Sequence, residues 1–289
     1  MLKTMMRVLP VPLLLAAGAA AAQVDMTDDA AMRPKLEALA GAGNAEAAYH
    51  LGMMHHLGAN GAKKDPQRAL ELFRQAAEGG DPLGAYKLGS YYDGQGGGLV
   101  QPDPELALKH KMVAAKAGYS LAQHDVAKLL YARGDTGEAV RWLEKSARQG
   151  YGESLQALAS LYTGEGKVAK NMGKSLAYLV ILQNSLKGKK ASPKIQAWVK
   201  ETRAKLSPAE IAQAEDVVRG WKVKPSPLTL QALAGEETAK TLVAKTPAPA
   251  AADAEPAAAE AAPAEADAAP AEAGPAPQAE PAPAGPDRA

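Results

Sequence analysis

The chain has 289 residues, a formal net charge of +1 and no cysteine; 47% of its residues are hydrophobic and only 4% are aromatic. The lack of cysteine excludes disulfides, thiolate metal sites and cysteine nucleophiles. A charge this close to zero, without a dense stripe of lysine and arginine, is not typical of nucleic-acid-binding proteins, and no nucleic-acid partner is predicted.

Residues 1–22 have the pattern of a secretory signal peptide. Lys3 and Arg7 make the start basic, residues 8–19 are apolar, and three alanines at 20–22 form a cleavage site of small residues. A membrane-spanning helix needs about 20 apolar residues, so an uncleaved anchor is the less favoured interpretation. We therefore expect an exported protein, in a bacterial periplasm, whose contact with the membrane is limited to the signal peptide.

Residues 23–43 are predicted to contain an N-terminal capping helix, and an internal repeat of about four units covers residues 44–190. The units align on an apolar residue followed by a small one in the first helix: Leu51-Gly52, Leu88-Gly89, Val126-Ala127 and Leu158-Ala159. After a turn containing glycine comes a residue suited to cap a helix N-terminus: Asp65, Asp103, Asp135 or Asn171. The first three units end with a glycine suited to the position after a helix: Gly80, Gly118 and Gly150. Each unit is therefore predicted to be a helix A, a glycine turn, a helix B and a tight turn.

Small residues at facing positions let these helices approach closely, which explains a core with a single phenylalanine in the whole chain. The residues predicted to fill the space between the helix pairs are Leu70, Phe73, Leu106, Val140 and Leu143. Capping boxes are predicted at Ser120-x-x-Gln123 and at Ser207-x-x-Glu210.

The succession A-x-x-L-G-x-x-Y, a glycine turn, D-x-x-x-A and A-A-x-x-G resembles the Sel1-like repeat, a branch of the tetratricopeptide superfamily. The best copies are residues 48–80 and 85–118. There are departures: His55 stands in place of the usual tyrosine, and the fourth unit has Leu182-Gln183 in place of the alanine pair. The resemblance implies an all-α solenoid of helix pairs, and it implies an adaptor or regulator, as in exported members that act in envelope signalling and assembly.

The residues after the repeats are predicted to form a C-terminal cap, an irregular extension and a disordered tail. Residues 191–221 are expected to form two C-terminal capping helices, because repeat arrays need polar-faced ends. Residues 222–245 are expected to be an irregular extension with one short helix near residues 228–234. Residues 246–289, almost all Ala, Pro, Glu, Asp and Gly, are expected to be a disordered tail because they cannot form a core.

Motifs for catalysis are absent from the sequence. It has no G-x-S-x-G, S-x-x-K or H-E-x-x-H, and neither a Walker A nor a dinucleotide fingerprint after a strand. His50, His55 and His56 are the densest cluster of metal-binding side chains, but their spacing is not that of a helical metal pair. We predict no enzyme, no catalytic residue, no metal and no cofactor.

The surface predicted to carry function is the outer side of the A helices, which we call the helix-A face. It comprises the positions one and two before, and two after, the first residue of each Leu-Gly-type pair, and it becomes one concave groove when the repeats stack. The predicted groove residues are Tyr49, His50, Met53, Tyr86, Lys87, Ser90, His124, Lys128 and Gln156. The alternative is that these exteriors are polar in any case and that Tyr49 and Tyr86 only pack on their neighbours.

The preferred function is a periplasmic adaptor or scaffold that holds a segment of a partner protein in this groove without chemistry. Two alternatives stay open. One is an envelope spacer that acts through the Ala/Pro tail, and the other is a cell-wall-related hydrolase. The sequence identifies neither the partner nor the oligomeric state, and it leaves open whether the groove takes a helix or an extended peptide.

Overall fold

The structure is a computed structural model that describes residues 29–164, 166–186 and 192–246. The predicted signal peptide, and the predicted tail apart from Thr246, lie outside these residues. Within them the secondary structure is helical throughout, and the predicted all-α fold is confirmed. No helix in these ranges combines the length and the apolarity needed to cross a membrane.

The helices follow one another as a leading helix, four pairs and a C-terminal group. The leading helix is α1 (Asp29–Gly41). The pairs are α2 (Ala45–Leu57) with α3 (Pro66–Glu78), α4 (Pro82–Ser90) with α5 (Pro104–Lys116), α6 (Ser120–Arg133) with α7 (Thr136–Arg148), and α8 (Gly152–Leu161) with α9 (Met172–Ser185). A π-helical turn, Tyr91–Gln95, extends α4. The C-terminal group is α10 (Pro193–Ala204), α11 (Pro208–Gly220), α12 (Pro227–Ala234) and α13 (Glu236–Lys245).

From α1 to α9, each helix packs against the next one along the chain, and α10 and α11 both pack on α9. A stack in which each repeat contacts the repeats next to it is the defining arrangement of a solenoid. The predicted stack of A and B helices is therefore present, with α2, α4, α6 and α8 as A helices and α3, α5, α7 and α9 as B helices.

Most of the predicted helix caps are formed. Asp65, Asp103 and Asn171 each accept a hydrogen bond from the first turn of their B helix, and the capping box of Ser207 with Glu210 is complete. Two predictions were wrong. Asp135 makes no cap bond, because its carboxylate pairs with Arg133. The start of α6 lacks the box predicted at Ser120, because Tyr119 is the cap residue.

Within a pair, the size of the small residue on helix A matches the residue opposite it on helix B. A β-carbon on Gly52 would lie 2.8 Å from the ring of Phe73, and one on Gly89 would lie 2.9 Å from the side chain of Lys111. In the third and fourth pairs the B-helix position holds Leu143 or Leu179, and the A-helix position holds an alanine, Ala127 or Ala159. Glycine is thus found where the opposing side chain is largest.

Lys111 corrects the predicted core. It occupies the repeat position of Phe73 and is 0% exposed, whereas the predicted core residue Leu106 is only half-buried. The Lys111 ammonium donates to Asp93 in the π-helical turn and, at 2.8 Å, to Asp125 on α6. The Tyr86 hydroxyl also donates to Asp125, at 3.1 Å. This buried ion cluster joins the second repeat to the third.

The C-terminal extension also differs from the prediction. It forms two helices, α12 and α13, where one short helix was expected. α13 packs on α1 and α2, so residues 222–245 run back to the first repeat. The extension is therefore part of the folded solenoid.

We expect Gly52→Ala to lower the free energy of unfolding by about 1–3 kcal/mol, because the new methyl group would overlap the buried ring of Phe73. Gly137→Ala is the matched control, since beyond the adjacent residues and the backbone of α7 itself nothing lies within 4 Å of its β-carbon position. Helix propensity should leave that variant unchanged or raise its stability by up to about 1 kcal/mol. Urea unfolding of both variants measures the difference, and equal effects would contradict the packing argument.

We expect Lys111→Met to lower the free energy of unfolding by about 3–5 kcal/mol, because it leaves the largely buried Asp125 carboxylate without its cation. The double variant Lys111→Met/Asp125→Asn should recover a large part of this loss. Lys109→Met, on the exposed side of the same helix, should change stability by less than about 0.5 kcal/mol. Thermal unfolding of the three proteins tests this, and a double variant no more stable than Lys111→Met would show that charge pairing is not the cause.

Candidate functional site

The structure divides the predicted groove residues into three groups by exposure. Buried side chains are Tyr49, His50, Tyr86, Ser90 and His124. Two others, Met53 and Lys87, are half-buried, whereas Lys128 and Gln156 are exposed. The open part of the helix-A face therefore lies on the third and fourth repeats.

The two tyrosines are buried because each packs within the stack. The ring of Tyr86 lies edge-on to Tyr119, 5.0 Å between ring centroids, and its hydroxyl bonds to Asp125 of the next repeat. Tyr49 packs against Phe73 of its own repeat, 6.3 Å between ring centroids. Burial raises the pKa of both phenols. For these two tyrosines the contacts agree with the alternative stated from the sequence, in which they pack on their neighbours and do not line a groove.

The buried His124 belongs to a polar network between the third and fourth repeats that the sequence did not reveal. Its Nδ1 lies 3.0 Å from the Ser154 hydroxyl, which donates to Ser146 Oγ at 2.8 Å. The Ser146 hydroxyl in turn donates to the Ser120 carbonyl. Burial lowers the pKa of His124, which keeps the imidazole neutral at neutral pH.

The three histidines of α2 turn to different surroundings. His50 Nε2 lies 3.8 Å from Glu46 Oε1, and His56 Nδ1 lies 3.4 Å from the Tyr91 hydroxyl. Nδ1 of His55 is buried without a hydrogen-bond partner. In the part of the chain that the structure describes, no group of three or more His, Asp or Glu side chains is arranged to hold a metal ion.

An open cavity of about 510 Å³ lies between α8 and α10, on the exposed part of the helix-A face. Its lining residues are Glu153, Gln156, Ala157, Ser160, Lys194 and Trp198. Three of them, Gln156, Ala157 and Ser160, lie at helix-A face positions that the sequence predicted, and Gln156 was named there as a groove residue. The wall offers an indole, an amide, a hydroxyl and one charge of each sign, which suits the binding of a polar or aromatic side chain.

Residues 221–245, which we call the strap, lie along the edge of the solenoid where the A helices begin. At its start, Trp221 meets Tyr178 edge-on, with 5.9 Å between ring centroids, and the Arg148 guanidinium lies 4.9 Å from the centroid of its indole ring. The Lys224 N–H then donates to the Arg148 carbonyl at 2.9 Å. These contacts hold the strap at the boundary between the third and fourth repeats.

The middle of the strap binds through its own hydroxyl groups to the boundary between the second and third repeats. The Ser226 hydroxyl donates to the Gly118 carbonyl at 2.8 Å, and the Ser226 N–H donates to Gln149 Oε1 at 2.9 Å. Thr229, which is 4% exposed, accepts from the Ser120 N–H at 3.0 Å and lies 2.7 Å from Gln149 Oε1. Side-chain hydroxyls thus satisfy backbone groups of the turn.

The end of the strap packs on the first repeat. The Gln231 amide donates to Glu46 on α2 at 2.8 Å, and Ala239 is buried in the core cluster that contains Leu36 and Tyr49. Half-buried strap residues that pack against the same cluster are Leu228, Ala232, Leu242 and Val243. Their helical spacing on either side of Gly235 is the sequence signal that would have predicted both helices. The chain itself therefore occupies the edge beside the predicted groove of the first repeats.

Comparison with known proteins identifies the repeats. The Sel1 repeat family matches residues 45–81, 82–119, 120–151 and 153–180. A Sel1 repeat protein from Oxalobacter formigenes is 30% identical in sequence and matches over 44% of this chain and 96% of its own, with a TM-score of 0.40. A protective antigen of uropathogenic Escherichia coli with an SLR fold is 21% identical, with a TM-score of 0.52, over 73% of this chain and 43% of its own.

The curated relatives are much longer than the matched region. Chitin synthase regulatory factor 4 of Schizosaccharomyces pombe is 28% identical over 120 residues, which are 41% of this chain and 19% of that protein. Regulatory factor 3 of the same yeast is 30% identical over 122 residues, which are 40% of this chain and 13% of that protein. The chain thus spans less than a fifth of the length of each of these relatives.

Asp81, at the start of α4, makes the stability of the folded chain depend on pH. It caps α4, accepts from the Gly84 N–H and is 8% exposed. Burial raises its pKa from 3.8 to about 6; the nearby charge of Glu46 adds to this, while the Gly84 bond and His50 oppose it. Between these two pH values the folded chain binds a proton that the unfolded chain has released. The contribution of Asp81 to stability is therefore greatest below pH 3.8 and falls as the pH rises through 6.

We expect Asp81→Asn to raise the free energy of unfolding by on the order of 1 kcal/mol at pH 7.5, because it removes the buried charge and keeps the capping oxygen. The gain should disappear at pH 4, where the wild-type carboxyl binds a proton. Asp65→Asn, at an exposed cap, should have little effect at either pH. Denaturant unfolding at both pH values tests this, and a variant less stable than wild type at pH 7.5 would contradict it.

Proposed function

Because the chain belongs to the Sel1-repeat proteins, we propose that it is an interaction scaffold that holds a segment of a partner protein against the helix-A face. The observation that carries the proposal is the open cavity between α8 and α10, which lies on the part of this face where predicted groove residues are exposed. Partly buried tryptophans in such cavities often contribute most to protein–protein binding, and Trp198 has that position.

The similarity to other proteins supports a binding role over catalysis. The repeat family is typically a non-catalytic adaptor fold, and the chitin synthase regulatory factors are named for regulation. We do not transfer their target to this chain, since the match covers less than a fifth of either protein. The shared element is the repeat, and the shared role that we propose is the binding of another protein.

We propose that the scaffold acts in the bacterial periplasm and serves envelope signalling or assembly. The support is the sequence of residues 1–22, with its basic start, short apolar stretch and alanine cleavage site. The alternative of a spacer that acts through residues 246–289 makes a different prediction. Deletion of those residues would abolish the function of a spacer and would leave binding at the cavity unchanged.

We expect Trp198→Ala to reduce capture of the partner at least about tenfold in a cross-linking pull-down from envelope extract, because the indole forms part of the cavity wall. The bait is the chain from residue 23 to 289. Trp142→Ala is the matched control, since Trp142 is also half-buried but lies on α7 with Lys145 over its ring, outside the cavity lining. Partners should be retained by the wild type and by this control.

A second variant separates binding from folding, because Trp198 also packs on the core. Ser160 is an exposed lining residue, so Ser160→Arg should block the cavity while leaving the thermal unfolding temperature unchanged. If both cavity variants capture the same proteins as the wild type, the binding surface lies elsewhere and the proposed site is wrong.

A further inference from the structure

The two helices of the strap bury few side chains against the repeats. In α12 and α13 the buried residues are Thr229 and Ala239, whereas Leu230 and Leu233 are 44% and 74% exposed. Elements with few buried apolar side chains open at low free-energy cost. The strap is thus suited to leave and return while the repeats stay folded.

The site under the strap is supplied by the repeats. The Gly118 carbonyl and the Ser120 N–H belong to the boundary between the second and third repeats, and the Gln149 side chain reaches them from the end of α7. Gln149 is already positioned by its own bonds to Gly118 O at 2.7 Å and to Gln123 at 2.8 Å. When the strap leaves, the donor of Ser120 and the acceptor of Gln149 lose their partners, so another hydroxyl-bearing segment can take its place.

The bound strap defines the chemistry that this site selects. Ser226 caps α12 through its bond to the Thr229 N–H and at the same time donates to Gly118. Pro227 fits the first helical position, where no N–H is needed. Leu228 and Ala232 face the core cluster, and Gln231 reaches Glu46. The pattern is Ser-Pro-apolar-Thr-x-Gln at the start of a short helix.

We propose that the strap is a built-in competitor, and that a partner segment with a Ser-Pro-x-Thr helix start displaces it from the boundary between the second and third repeats. This inference rests on the proposed scaffold function. It adds the chemistry of the partner segment, and it adds that the strap controls the access of this segment to the boundary between the second and third repeats. The covalent link gives the strap an effective concentration on the order of millimolar, so a partner must overcome that competition.

The test uses a labelled synthetic peptide with the sequence of residues 222–234 and the chain from residue 23 to 289. We expect the double variant Ser226→Ala/Thr229→Val to bind this peptide at least about tenfold more tightly than the wild type, because its own strap competes less. Adding Gln149→Ala to that variant should abolish the gain. Ser192→Ala removes a comparable exposed helix cap at α10 and should bind the peptide like the wild type.

Hydrogen exchange of the unmodified chain gives a second, peptide-free readout. We expect amides of residues 227–245 to exchange faster than those of α2–α9, and faster still when excess peptide is present. Equal peptide binding by wild type and double variant, no binding to the double variant, or exchange in the strap as slow as in α2–α9 would each overturn the proposal and identify a permanent cap.

The two proposals fail in different experiments. The peptide assay contains no envelope partner and does not involve Trp198, so it reports on the strap alone. The pull-down with Trp198→Ala and Ser160→Arg reports on the cavity whether or not the strap opens.

Discussion

The closeness with which neighbouring helices approach is the constraint on which the rest of this solenoid depends. The paired helices have between 9 and 14 residues, and helices this short are marginal on their own in water. They are stabilised by packing, and the chain has few aromatic side chains to fill wide gaps. Small residues at the contact positions solve this problem, because they bring the backbones together and leave room for one larger side chain per pair.

The same rule holds between repeats and shows where polar groups enter the stack. A β-carbon on Gly84 would lie 2.4 Å from that of Ala76, so the first and second repeats meet at their smallest residues. The equivalent positions at the boundary between the third and fourth repeats are Ser146 and Ser154, which hydrogen-bond to each other. Between the second and third repeats the polar contact comes from Lys111. It occupies the position of Phe73 within the second repeat, and its ammonium donates to Asp125 of the third. Any slipped stacking would leave these buried groups unpaired, so they help to fix the order and register of the repeats.

Most of what is decided locally could be predicted from the sequence. The Asp and Asn residues before the B helices and the glycines that close the first three units predicted the paired helices, since a cap or a left-handed turn depends on a few adjacent residues. Exposure was less predictable. Tyr86 has the sequence position of a groove residue, and it is buried because the next repeat supplies Tyr119 and Asp125. Lysine is a residue type that is expected at the surface, but Lys111 is buried, because a turn and another helix supply carboxylates that pair with it. No short pattern contains such information.

The strap shows how a repeat array can recognise a segment without a dedicated groove. Each boundary between repeats ends a B helix and starts an A helix, so carbonyl and N–H groups recur there along the solenoid. The strap uses two successive boundaries, through the Arg148 carbonyl and the Gly118 carbonyl, while running from the fourth repeat towards the first. Backbone groups that recur in every repeat can bind any segment with suitable donors, so they do not distinguish one segment from another. Discrimination must then come from side chains that are not shared by all four repeats, and Gln149 at one boundary and Glu46 on α2 are such side chains. The strap contacts both, and this explains why its sequence combines a capping Ser-Pro with a threonine and a glutamine at fixed spacing.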